Sequence, residues 1–306
     1  MKVLFFGSDD FSVPVLKMLD ARHTLVGVVT QPDKPKGRGK KIQSNPVAEW
    51  SIRRNKRIFY DMNDSNIFSL DVDIGVVAAY GKIIPEKLLN FPKLRLINLH
   101  PSLLPRYRGA TPIESTILNG DRKTGCSIIY VEKKLDSGDI LAMREYLLDG
   151  RENSIKLRQT LSEVGAEMII ELLENMNNIS PIKQDDSLAV YTKKMIKSDG
   201  KISFETESAC RIDRKIRAYI NIGSYFYLNG KRLIVEEADF EDVDSEKPAG
   251  CIISSKDRLA IQTKKGIIYI KRVRPAGKGS MAIKQFLNGY KGNLIGYIIS
   301  DASIDS

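Results

Sequence analysis

An asparagine and a histidine two residues apart, at the end of an apolar run, are the first pair in this sequence with a chemistry of their own. Asn98 and His100 follow Leu94-Arg95-Leu96-Ile97 and precede Pro101. In a strand, alternate residues share a face, so both side chains point the same way. Pro101 cannot donate to a ladder and ends the strand. An amide and an imidazole thus stand at the carboxyl end of a strand, where open α/β sheets collect ligands. The amide can donate to an oxygen that gains charge. The imidazole can take or give a proton near neutral pH. A carboxylate to set its tautomer is offered by Leu135-Asp136-Ser137-Gly138-Asp139-Ile140, which follows another strand-like run, 126–132. In a sheet extended by that run, this loop can return to the edge that carries His100. No serine or cysteine nucleophile belongs to the set, so it suits direct acyl transfer to an incoming amine.

The elements that must position these residues alternate. Strands are expected at 3–7, 24–30, 72–78 and 94–100, with a helix over 13–19 between the first two. This is βαβ material and predicts a mostly parallel, Rossmann-like sheet with helices on both faces. Ser8-Asp9-Asp10 after the first strand reads as a phosphate-style turn. Run 140–147 is the expected hairpin partner of 126–132, giving an antiparallel extension. Leu157, Leu161, Val164, Met168 and Leu172 recur at helical spacing through 154–174, with Ser154 as expected N-cap. Beyond about residue 175 the character changes. Polar Gln184-Asp185-Asp186-Ser187 leads into a basic stretch containing Lys193, Lys194 and Lys197. One helix (209–218) and short β runs near 226–228, 232–237, 250–254, 259–262 and 267–273 follow, which suggests a small barrel. The division expected is 1–183, a linker over 184–202, and a second domain over 203–306.

Composition narrows the classes. Length alone suggests about two domains. There are 48 Lys and Arg against 38 Asp and Glu, a formal net charge of +10. Such a balance attracts nucleic acid or anionic metabolites. No apolar run reaches the roughly 18 residues of a membrane span. The start lacks a signal-peptide cleavage pattern, so a cytoplasmic location is expected. Cys126, Cys210 and Cys251 are far apart, and with two histidines they form no zinc site of usual spacing, so no metal is expected.

The segments Asn98-Leu99-His100-Pro101-Ser102-Leu103-Leu104-Pro105 and Leu135–Ile140 together resemble the 10-formyltetrahydrofolate-dependent formyltransferases. Three further stretches are similar to the branch that acts on methionyl-tRNA. They are the basic run Thr30–Lys41, the pair of segments Arg274–Met281 and Phe286–Gly289, and Ile216-Arg217-Ala218 ahead of an Asn-Gly hairpin. With Ala78-Ala79-Tyr80-Gly81, the resemblance spans nearly the whole chain. It implies a Rossmann-like catalytic domain, a linker and a small OB-like barrel.

 It also implies a folate co-substrate, an initiator methionyl-tRNA partner and a monomer. Carried over residue by residue, Asn98, His100 and Asp136 match the family's catalytic trio. Tyr80, Gly81, Ser102, Leu103, Leu104, Pro105, Leu135, Ser137 and Gly138 match its folate-contacting positions. Lys36, Arg38, Lys40 and Lys41 match a loop that reaches the acceptor stem, and Lys194, Lys197 and Lys278 extend the tRNA-binding set, with Lys271, Arg272 and Arg274 adding positive character.

One departure stands out: Ile220-Asn221-Ile222-Gly223 replaces the family's Asn-Pro-Trp-Pro-like turn. Two other readings compete. A formyltransferase for a small amine, such as a nucleotide-linked amino sugar, needs neither the basic loop nor a basic barrel. A non-catalytic RNA-binding protein does not need the trio.

Overall fold

The computed structural model describes residues 1–36, 41–255, 258–290 and 293–299. Two units emerge from its contacts. The first comprises Met1–Pro112, Lys123–Leu148 and Lys156–Lys193, and the second the remaining segments. Residues 184–193, expected as linker, therefore pack with the first unit.

The first unit is built on seven strands: β1 (Lys2–Gly7), β2 (Thr24–Val29), β3 (Ile58–Phe59), β4 (Ile74–Ala78), β5 (Leu96–His100), β6 (Lys123–Tyr130) and β7 (Ile140–Leu147). Their order is β7-β6-β5-β4-β1-β2-β3. Pairing is parallel from β5 to β3 and antiparallel for β5–β6 and β6–β7. Strands covered on both faces read as continuous apolar runs, and β4 (Ile-Gly-Val-Val-Ala) is buried throughout. Val3, Leu4, Phe5 and Phe6 on β1 are fully buried, each contributing roughly 1.5–3 kcal/mol of hydrophobic stabilisation.

Helix Ser154–Glu174 covers the face of β5 opposite Asn98 and His100. A Cβ at Gly165 would collide with the Leu99 side chain, and Cys126 Sγ on β6 donates to Leu161 O on this helix. The helix has the expected bounds. Ser154, however, is its first residue and not its cap: the hydroxyl is buried without a hydrogen-bond partner. Helix Pro46–Arg53 has a regular start, with Asn45 Oδ1 accepting from Ala48 N at 3.0 Å and Pro at the first position. The turn after β1 is no phosphate cradle. Asp9 Oδ1 itself accepts the Phe11 N–H at 2.9 Å, and Asp9 pairs with Arg158.

The second unit carries an antiparallel, OB-like half-barrel. Its strands run in the order Ser224–Leu228, Lys231–Glu241, Ile267–Pro275, Leu259–Gln262, Ile252–Ser254. Ile212 and Ile216 of helix Ala209–Ala218 join Phe226, Leu233, Val235, Ile261, Ile268 and Ile270 in its core. Ser208 caps that helix by accepting from Arg211 N. At its other end, Gly223, at φ 79°, donates its N–H to Tyr219 O, closing the Ile220–Gly223 turn without proline. No described helix is long and apolar enough to cross a membrane.

Candidate active site

His100 ends β5 on the same face as Asn98; it is buried and Asn98 half-buried. Ser127 lies opposite His100 on β6 and ties down the segment that follows. Its Oγ donates to Ser102 O at 2.7 Å and accepts from Leu104 N at 3.1 Å. Ser102 N donates to His100 O, and Ser102 Oγ to Arg106 O at 2.6 Å. The 102–106 segment so folds back over the sheet face, with a cis Leu104–Pro105 bond.

That fold-back brings a carbonyl to the imidazole: His100 Nε2 is 2.9 Å from Tyr107 O. A carbonyl only accepts, so Nε2 carries the proton, and in the neutral ring the lone pair is on Nδ1. Nδ1 faces Asp136 Oδ2 at 3.7 Å. The same Oδ2 accepts the Gly109 N–H at 2.8 Å. Gly109 has φ 113°, and a Cβ there would meet Thr192 O at 2.7 Å, so glycine is required.

Asp136 takes an unexpected route to this place. The β6–β7 connection leaves the sheet beside Leu96, where Val131 N donates to Leu96 O, at the far end of β5 from His100. It must double back along the sheet face. Asp136 sits at φ 47° within it, and Tyr107 at φ 62° across from it. Non-glycine residues in this region are uncommon and gather at functional sites. A Cβ at the buried Gly138 would collide with Tyr130 O, so the loop lies against the strand only with glycine there.

The structure thus brings together Asn98, His100 and Asp136, along with Ser102, Leu104, Pro105 and Gly138. Leu103 is half-buried and Leu135 exposed, while Ser137 Oγ donates to Lys134 O. Tyr80 and Gly81 follow β4, the neighbour of β5. Burial pushes the Tyr80 phenol up to about 12, and its hydroxyl has no hydrogen-bond partner. Its ring stands edge-on to Phe6, and its carbonyl accepts from Gln31 Nε2 at 2.6 Å.

Of the basic loop, Lys36 and Lys41 face each other in an antiparallel pair, while Arg38 and Lys40 lie outside the described residues. Lys194, Lys197 and Lys278 are exposed in the second unit. The expected positive character over 271–274 is largely balanced. Lys271 pairs with Asp239, Arg274 with Glu236 at 3.0 Å, and Arg272 lies 4.0 Å from Glu237. The carboxylates come from the adjacent strand, whose register the sequence does not display.

Sequence reasoning missed the backbone groups of Tyr107 and Gly109, and it gave Arg108 and Gln184 no role. Among the described residues, no group of three or more His, Cys, Asp or Glu side chains is placed to hold a metal ion.

The doubly wound sheet and its edge site coincide with a known class. Residues 1–173 match the sequence model of the formyl transferases, and residues 194–291 that of the formyl transferase C-terminal domain. The chain belongs to the formyl transferase family. It is similar to the methionyl-tRNA formyltransferase of Rickettsia massiliae (strain Mtu5), at 37% identity over 295 residues, covering 94% of this chain and 97% of that one. Among solved structures, methionyl-tRNA formyltransferase from Clostridium thermocellum superposes with a TM-score of 0.58 at 18% identity, covering 91% of this chain and 100% of the other. HypX from Aquifex aeolicus, in complex with tetrahydrofolic acid, gives 0.65 at 17% identity over 94% of this chain. This chain spans about half of HypX, 47% of its length.

Proposed function

We propose that this protein transfers a formyl group from 10-formyltetrahydrofolate to the α-amine of methionyl-tRNA. The observation that carries the chemistry is the imidazole held between Tyr107 O and Asp136 Oδ2 beside Asn98. The folate supplies the formyl group. An α-amine has a pKa of about 7.7–8.0 and must lose a proton to form the new C–N bond. His100 Nδ1 is the acceptor for that proton. Once protonated, it faces the Asp136 carboxylate as an ion pair, while Nε2–H stays on Tyr107 O. Asn98 donates to the formyl oxygen as it takes on charge. When the bond to the folate nitrogen breaks, His100 returns the proton to that nitrogen, so the enzyme ends as it began.

In this reading, residues 1–183 carry the chemistry and 203–306 hold the tRNA. Lys36, Arg38, Lys40 and Lys41 contact the acceptor end, with Lys194, Lys197 and Lys278 on the backbone. The protein works as a cytoplasmic monomer on initiator methionyl-tRNA.

The deciding experiment compares formyl transfer to initiator methionyl-tRNA with transfer to a nucleotide-linked amino sugar. Transfer to the tRNA alone is the expected result. Transfer to the sugar alone would replace this reading with that of a small-amine formyltransferase.

A further inference from the structure

Arg108 is fully buried, yet its guanidinium is not held by a buried carboxylate. Its Nε and Nη2 donate to Gln184 Oε1 at 3.1 and 2.7 Å, and its Nη1 to Asp186 Oδ1 at 2.8 Å and to the Tyr191 hydroxyl at 3.2 Å. The other end of the Gln184 amide is also committed. Nε2 donates to Asp136 O at 3.0 Å and to Gly138 O at 2.7 Å. A guanidinium only donates and carbonyls only accept, so the amide has one possible orientation.

The two segments joined in this way are the two that define the site. Arg108 stands between Tyr107, whose carbonyl accepts the His100 Nε2–H hydrogen bond, and Gly109, whose N–H donates to the Asp136 carboxylate. Asp136 is the residue whose own carbonyl Gln184 grips, at a left-handed backbone angle that residues other than glycine adopt only occasionally. We propose that Gln184 is a positioning residue: by bridging buried Arg108 to the backbone of Asp136 and Gly138, it sets the separation of the Asp136 carboxylate from the His100 ring. It touches no substrate in this account. The inference rests on the proposed formyl transfer for its kinetic test, but not for its geometric one.

Two variants separate the ends of the bridge. Gln184→Glu keeps an acceptor for Arg108 and loses both donors to the loop. Gln184→Met keeps the length and loses both ends. For a folded Gln184→Glu, kcat for formyl transfer should fall about 10²-fold, the scale of a displacement near 1 Å in a reacting constellation. KM for methionyl-tRNA should change little. In an Asp136→Asn background the same substitution should cost little more, because residues that act as a unit do not lose activity additively. The chain has two histidines, His23 and His100, so the His100 ring resonance can be followed by NMR. It should shift on Gln184→Glu whether or not methionyl-tRNA is the substrate.

A wild type without formyl transfer but with a shifted His100 resonance would remove the functional reading and leave the bridge intact. Unchanged kcat and an unmoved His100 resonance in a folded variant would overturn the inference. So would losses that add fully to those of Asp136→Asn. If neither variant folds, Gln184 is a structural residue only, and the inference fails as well.

Discussion

The Nε2 of His100 and the carbonyl oxygen of Tyr107 lie 2.9 Å apart, although Tyr107 follows a segment that has left the strand and folded back. This bond decides which nitrogen can act. With Nε2 committed as donor, proton transfer belongs to Nδ1, on the side of Asp136.

His100→Gln should keep an N–H for Tyr107 O while removing the basic nitrogen. We expect kcat to fall about 10²–10⁴-fold, the usual worth of a positioned acid–base group, with thermal stability and tRNA affinity near wild type. A gel-shift titration beside single-turnover kinetics reads both. Equal losses in binding and rate would argue against a proton-transfer role.

Gly138→Ala tests the packing of the Asp136 loop. The new methyl collides with a carbonyl of β6, which cannot swing aside as a side chain would. A cost of about 1–3 kcal/mol is expected for such overpacking, read as a lower urea midpoint. Activity should fall further than stability alone accounts for, because the displaced loop carries Asp136.

Cys126 supplies an alkaline marker. Burial pushes its thiol up to about 12, above an unfolded value near 8.5. A folded value above the unfolded one means the stabilisation is complete below about pH 8.5 and is lost as pH climbs toward 12. In the native protein at pH 9, iodoacetamide should modify half-buried Cys210 well before Cys126. Rapid alkylation of Cys126 under those conditions would show that the helix covering it opens readily.

Arg38→Ala should raise KM for methionyl-tRNA and leave folate binding unchanged. The wild-type step should weaken steeply with salt, since each neutralised phosphate releases counterions. Steady-state rates at 50 and 200 mM salt suffice to measure both. A KM for tRNA indifferent to Arg38 would take the loop out of the recognition surface.

What was legible in the sequence had a local cause. Asn98, His100 and Pro101 announce a strand end with two side chains on one face, and β5 stops at His100 as expected. Helix Ser154–Glu174 follows from its apolar period. The helix Pro46–Arg53 went unread despite Asn45 and Pro46, because the Arg- and Lys-rich stretch that follows obscured its short apolar face. Other features had no local cause to read. Tyr107 and Gly109 act through backbone atoms, which are alike in every residue. Gln184 sits in a polar run whose composition suggests a linker, and its value comes from a buried arginine 76 positions away. The neutralisation of Lys271 and Arg274 depends on strand register, which hydrophobic alternation sets only after the sheet has formed.

The pairing of Tyr191 and Thr192 with Arg108 and Gly109 has a consequence for how the enzyme comes into being. On the ribosome, Asn98, His100 and Asp136 are all made while residues 184–192 are still unwritten. A nascent chain at residue 173 already holds the span matched by the N-terminal family model, yet nothing then occupies the place of Gln184 or closes over Gly109. Gln184 and Thr192 are thus the last parts of the site's frame to be made, reaching Asp136 and Gly109 only after the three side chains they brace are already in the chain.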